Sequence, residues 1–320
     1  MKVTIAAVTD EVTPSGAQMT SMVQAASDPQ TSPQLLCKLA MAADWHLRQL
    51  VASNPNTPTE TLWQLGIDFP EAILNNPIFE LLQIEQLDLV ATIPQPTLTS
   101  LLQCDRVPKS FMEYAVTQQD YSLWLAVAYN PHTPSKLIEH LAQKSRGRDR
   151  ELIRAVAAHP QTPTHLLAEI TDIGAGIAQI VAENAQTPIP VLEQILRKYG
   201  SPYDPTFTIL VALHPQLNPR LLMQMYLAPS ETAAQSLWLA KQLDTSSTQL
   251  TQLAATDWPV LLLAIVRHPQ TPSDTIDSIW QQLQIDPDVP SPLDRLIYDS
   301  FASNPNTAPK LRNELRKLLK

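Results

Sequence analysis

Three histidines in this chain, His159, His214 and His268, stand in the same local context, His-Pro-Gln. Imidazoles that recur in one context suggest metal ligation first, since neutral histidine is the commonest metal ligand. One ion needs its ligands converging on a point. If each His-Pro-Gln marks one structural unit, helices stacked about 8–10 Å apart would hold histidines two units apart about 20 Å from each other. No single ion bridges that, so these histidines read as polar groups at helix ends. His46, His132, His140 and His165 show no ligand spacing either. Other reactive groups are equally dispersed. Cys37 and Cys104 make neither a disulfide framework nor a thiolate cluster, and they read as core residues. The segment IGAG at 173–176 lacks the rest of a phosphate-binding loop and reads as a turn. Asp286 and Asp288 lie in the proline-rich stretch QIDPDVPSPLD, where solvation is expected. No serine, cysteine or threonine nucleophile motif stands out, and the expectation is no cofactor, no metal and no catalytic residue.

The elements that would position these groups follow from self-comparison. The blocks around Pro29, Pro55, Pro131, Pro160, Ala185, Pro215, Pro269 and Pro305 align in one register. VASNPNTP at 51–58 and FASNPNTAP at 301–309 are the most similar pair. Degenerate copies at 74–84, 90–104 and 239–254 fit the same frame. Three residues before the anchor stands alanine in seven of the eight copies: Ala26, Ala52, Ala128, Ala157, Ala182, Ala212 and Ala302. A recurrent small residue implies backbones packed closely.

The residue before the anchor is Asp28, Asn54, Asn130, His159, Asn184, His214, His268 or Asn304, all suited to the unpaired groups of a helix end. The proline stops the helix. Two residues later come Thr31, Thr57, Thr133, Thr162, Thr187, Thr271 and Thr307, in five copies followed directly by a second proline. Thr-Pro predicts an N-cap with a first-turn proline, and Thr57 with Glu60 has capping-box spacing. Where the second proline comes one residue later, Ser32 and Asn218 are expected to cap, while Ala308 cannot. Apolar residues seven and ten positions past the anchor, such as Leu36 and Leu39 or Leu62 and Leu65, define one helix face. Each unit is therefore a helix, a corner and a second helix, burying its apolar face against its neighbours.

Composition agrees. The 320 residues carry 29 Pro and 6 Gly, with prolines spread between apolar runs rather than in a disordered tract. Net charge is −9, which argues against nucleic acid or anionic membranes as partners. No apolar run approaches the roughly 18 residues needed to cross a bilayer, and the N-terminus reads poorly as a signal peptide, so a cytoplasmic protein is expected.

The Asn-Pro-x-Thr-Pro block followed by Leu-x-x-Leu resembles the leucine-rich repeat variant family over about residues 25–315. The resemblance implies an all-α, right-handed α-solenoid of about ten short repeats, alternating α-helices with 3-10 or short helices and without β-sheet, similar to HEAT and armadillo stacks. The organisation expected is an N-terminal extension over 1–20 and one solenoid over 21–320, with 309–320 as its capping helix. Some members carry a cysteine-rich iron–sulfur segment, which this chain lacks among its two cysteines.

The function that follows is a non-catalytic protein–protein interaction scaffold. A HEAT-like enzyme or chromophore-handling protein, and a nucleic-acid binder, are the alternatives. The candidate protein-binding surface combines Lys144, Arg146, Arg148 and Arg150 in QKSRGRDR with Asp274 and Asp277 in the acidic stretch 227–290. Six tryptophans are expected mostly between helices, and any left open would serve as anchors.

Overall fold

The computed structural model describes residues 16–145, 150–201, 203–283 and 292–319. Among them the chain is all-helical, with no strand. It divides into two compact units, 1–141 and 142–320. Unit 1 holds α1 (Gly16–Ser27), α2 (Pro33–Leu39), α3 (Trp45–Ser53), α4 (Thr59–Leu65), α5 (Pro70–Leu74), α6 (Pro77–Glu85), α7 (Leu89–Thr92), α8 (Gln95–Leu102), α9 (Lys109–Thr117) and α10 (Tyr121–Tyr129). The division falls within α11 (Ser135–Ser145). Unit 2 continues with α12 (Arg150–Ala158), α13 (Thr164–Ile170), α14 (Ala175–Glu183), α15 (Ile189–Tyr199), α16 (Thr206–Leu213), α17 (Pro219–Gln224), α18 (Glu231–Ala240), α19 (Ser247–Leu253), α20 (Pro259–Arg267), α21 (Ser273–Leu283), α22 (Pro292–Ser303) and α23 (Pro309–Leu318). The one 3-10 helix among the described residues is Thr171–Ile173, so the second helix of each described unit is a short α-helix.

The unit centred on Pro55 shows why these residues fold this way. Asp44 caps α3, its carboxylate accepting from the Leu47 amide at 2.7 Å. Pro55 offers no amide, so α3 ends at Ser53. The Thr57 hydroxyl donates to the Val51 carbonyl at 2.7 Å, in the last turn of α3. It therefore closes the helix before it and caps nothing after it. Pro58 itself occupies the N-cap of α4, and Glu60 makes no capping box there. The reason is steric: Pro58 forces Thr57 out of helical geometry, which shifts the start of α4 by one residue and turns the hydroxyl back to the Val51 carbonyl, which also accepts the Asn54 amide at 3.1 Å.

The same backward bond recurs six residues apart at Thr31, Thr133, Thr162, Thr187, Thr271 and Thr307, and also at Thr245 of a degenerate copy. Where the second proline is displaced, Asn218 does cap its helix, accepting from the Leu221 amide at 2.9 Å. Ser32 and Ala308 make no side-chain cap.

Packing follows the expected register. The seven recurrent alanines are buried, as are Leu36, Leu62, Ile138, Leu167, Leu192, Leu222 and Ile276 seven residues past the anchors. Each such side chain removed from water stabilises the fold by about 1.5–3 kcal/mol.

Between repeats runs a ladder of side-chain to backbone hydrogen bonds. Asn54 Nδ2 donates to the carbonyls of Ala26 (2.8 Å) and Asp28 (2.9 Å), while its Oδ1 accepts from the Asn56 amide at 2.9 Å. Asn76 does the same toward Ala52 and Asn54, and Asn130 toward Leu102 and Cys104. In unit 2, Asn184 reaches Ala157 and His159, and Asn304 reaches Val266 and His268. Each rung serves two carbonyls at the end of the preceding repeat's helix; the second also accepts a turn amide, as Asp28 does from Thr31 at 3.0 Å, so the first depends on the rung more. Leaving a buried carbonyl unpaired costs about 1–3 kcal/mol.

Candidate interaction surfaces

The histidines belong to this ladder. His214 Nδ1 accepts from the Gln216 amide at 3.3 Å, so Nε2 carries the hydrogen that meets the Asn184 carbonyl at 3.0 Å. His268 repeats this with the Gln270 amide at 3.1 Å and the Gln242 carbonyl at 2.9 Å. Imidazole thus plays both roles of the asparagine carboxamide, acceptor to the chain ahead and donor to the unit behind. Burial holds the His214 imidazole below its ordinary pKa, with the Lys241 charge adding to the effect and the Asn184 bond opposing it. No group of three histidine, cysteine or acidic side chains among the described residues is arranged to hold a metal ion.

One rung is a lysine. In the degenerate copy 239–254 the expected position holds Gln242, but Lys241 makes the contact. Its Nζ donates to the carbonyls of Ala212 (3.3 Å), His214 (2.8 Å) and Leu217 (3.0 Å). The first two are the positions an asparagine rung would serve. Burial lowers its pKa to about 8. Lys241 also lines a recess of about 190 Å³ with Leu213, Arg267 and His268.

Arg267, at the end of α20, donates from Nε to Ser300 Oγ of α22 at 2.9 Å. Enclosure lowers the pKa of Arg267 and raises that of Glu183 at the end of α14. Yet both side chains keep contact with water. Helix α16 meets α14 and also α20 and α22, which are not its immediate neighbours in the chain.

Unit 1 carries a larger recess, about 480 Å³, between α3, α5 and α8. Its aromatic wall is Trp45, opening α3, against Phe69, preceding α5, with ring centroids 4.3 Å apart. The Arg48 guanidinium stands 5.3 Å from the Trp45 ring centre and 5.6 Å from that of Phe69, and its Nη1 meets Asp68 Oδ2 at 3.1 Å. Ile67 is set by a close approach: Thr97 of α8 donates to the Trp63 carbonyl at 2.6 Å across Gly66. A Cβ on Gly66 would stand 2.6 Å from Thr97 Cγ2. Trp45 is 53% exposed and Ile67 50%, large values for such side chains. At the floor the Cys104 thiol is pushed up to about 11, by burial first and then by the carboxylates of Glu71 and Asp105. It is no nucleophile at neutral pH.

The candidate surface expected from sequence lies on α11, α12 and α21 where it is described. Lys144 lies half-buried near the end of α11, and Arg150 is exposed at the start of α12. Asp274 is exposed and Asp277 half-buried, one turn apart on α21. Helix α12 packs on α13 and α14, whereas α21 packs on α20. Arg146 and Arg148 lie outside the described residues, as do Asp286 and Asp288. Of the tryptophans only Trp63 is fully buried, while Trp45 and Trp238 are open. The sequence did not point to the Trp45 recess or to the recess that Lys241 and Arg267 line. The one signal was that Lys241 sits where the repeat departs from its own pattern.

No helix among the described residues is long and apolar enough to cross a membrane. No family model, curated protein or solved structure matches the chain.

Proposed function

We propose that this chain is a non-catalytic protein-binding scaffold: a right-handed α-solenoid of about ten units resembling leucine-rich repeat variants, which presents its varying surface side chains to a protein partner. The observation that carries this reading is the ladder. The same rung joins successive units, which yields a stiff support with little ordering to lose on binding. The side chains that differ between units, such as Trp45, Ile67 and Trp238, are those left open. Lys241 engages helix-end carbonyls, and Arg48 engages two aromatic rings and Asp68, which supports a structural part for these cations.

The experiment is site-specific photo-crosslinking in cells, with a photoreactive side chain at Ile67, at Trp238 or at Arg150. The expected result is one protein captured reproducibly from at least one position. Its purified form should bind the purified chain, and substituting the capturing surface should weaken that binding. Capture of nucleic acid alone, or turnover of a small molecule by the purified chain, would overturn the reading.

A further inference from the structure

The recess in unit 1 has a charge balance that its aromatic wall does not require. Three carboxylates line it, Asp68, Glu71 and Asp105, with no lysine or arginine among the described lining residues; the nearest established cation is Arg48, beside Asp68. Arg48 is already committed, paired with Asp68 at 3.1 Å and sandwiched near Trp45 and Phe69. Among the described residues Glu71 has no ion pair, and Asp105 has one, with the exposed His132 imidazole at 3.7 Å. Arg106 follows in sequence but does not line the recess. Glu71 and Asp105 also lie close enough to Cys104 to add to the burial that raises its pKa. The recess is therefore rimmed by exposed carboxylates, with an open indole and an open isoleucine beside them.

We propose that this recess docks a basic side chain, arginine or lysine beside an aliphatic residue, of a protein partner. The inference rests on the scaffold reading and names the chemistry that reading leaves open. About 480 Å³ admits one long side chain and part of its neighbour. Arginine suits the place best. Its guanidinium can reach the Glu71 and Asp105 carboxylates with a planar fork, and its stem can lie on the exposed indole. Arg48 shows that this aromatic pair accepts a guanidinium at 5.3–5.6 Å. A net charge of −9 steers basic partners toward the chain in the same sense.

The test follows the indole resonances of the full chain labelled with ¹⁵N-tryptophan, with the Trp45 signal assigned from Trp45→Phe. The probe is a Leu-Arg-Leu tripeptide blocked at both ends, alongside its Leu-Gln-Leu and Leu-Glu-Leu counterparts. The expected result is a saturable shift of the Trp45 signal by the arginine peptide, with a Kd on the order of 1 mM for so small a probe. The glutamine and glutamate peptides should bind at least about tenfold more weakly, and 1 M salt should remove most of the difference. Glu71→Gln with Asp105→Asn should weaken the arginine peptide about tenfold while the other five indole signals stay in place. Equal shifts with arginine and glutamine peptides, no Trp45 shift, or unchanged binding to the double variant would each overturn the proposal. Failure of the scaffold reading would look different: the arginine peptide would bind at Trp45 while crosslinking captured no protein. Conversely, a partner captured at Trp238 whose binding ignores Glu71 and Asp105 would leave the scaffold standing and remove this docking mode.

Discussion

The two units build the same ladder from different side chains. In unit 1 the described rungs are carboxamides, Asn54, Asn76 and Asn130, which hold no proton to gain or lose near neutral pH. In unit 2, Asn184 and Asn304 flank His214, Lys241 and His268, whose donors are imidazole and ammonium nitrogens, and of these His214 and Lys241 have pKa values lowered by burial. What the fold demands at this position is a donor aimed at the preceding unit's carbonyls. It is indifferent to whether that donor is an amide, an imidazole or an ammonium. Charge is therefore free to vary along an otherwise constant frame, and the two halves should answer pH differently.

The comparison breaks most sharply at the carboxamides. Asn54→Leu and Asn184→Leu each strip donors from two carbonyls and an acceptor from one amide, at an expected cost of about 3 kcal/mol in either unit. Denaturant unfolding of the variants would measure it, and a cost in one unit only would mean that the rungs are not equivalent. Asn54→His should cost less, since imidazole keeps one donor and the acceptor.

Lys241 comes next. Its folded pKa of about 8 lies below the unfolded 10.5, so the unfolded chain holds a proton that the folded chain has released between those values. Stability from this group therefore rises with pH through that window, by up to about 3 kcal/mol. The three carbonyl acceptors favour the ammonium, which makes that figure an upper bound. Lys241→Met should flatten the alkaline rise in melting temperature, and no rise in the parent chain would refute the premise.

Ala157→Leu drives a larger side chain into the contact between units, with an expected loss of about 1–3 kcal/mol. An unchanged melting temperature would remove the close-contact role of the recurrent alanine.

On the acid side the His214 pKa is lowered, so the unfolded chain takes up protons first as pH drops below about 6.5. Stability falls in that direction, and His214→Asn should lessen the fall between pH 7 and 5 in thermal melts. Asn54→His would transplant the same sensitivity into unit 1. Smallest is Thr57→Val, which removes the bond to Val51 for about 1 kcal/mol. Thr57→Ser should retain most of it.

Much of the frame was legible because it repeats. The buried alanines and the apolar residues after each anchor stand where their spacing puts them, since a 3.6-residue period fixes which face is covered. The threonines were legible as hydrogen-bonding residues, but their direction was not. A Thr-Pro pair satisfies either helix end on paper, and only the backbone angle imposed by Pro58 sends the hydroxyl of Thr57 back to Val51.

The surfaces were the least legible. Lys144, Arg150, Asp274 and Asp277 stand out by sequence crowding, and of these Arg150 and Asp274 are exposed while Lys144 and Asp277 are half-buried. Trp45, Phe69 and Cys104 are separated by 59 positions from first to last and meet in one recess.

The sequence by itself determined the helical units, their register and the residues that each must bury, because those depend on short-range geometry that every copy restates. Tertiary structure decided which donor reaches which carbonyl, that Lys241 stands in for an asparagine, and where aromatic and acidic side chains converge. These depend on how one unit lies against the next, a relation that no local pattern of residues contains.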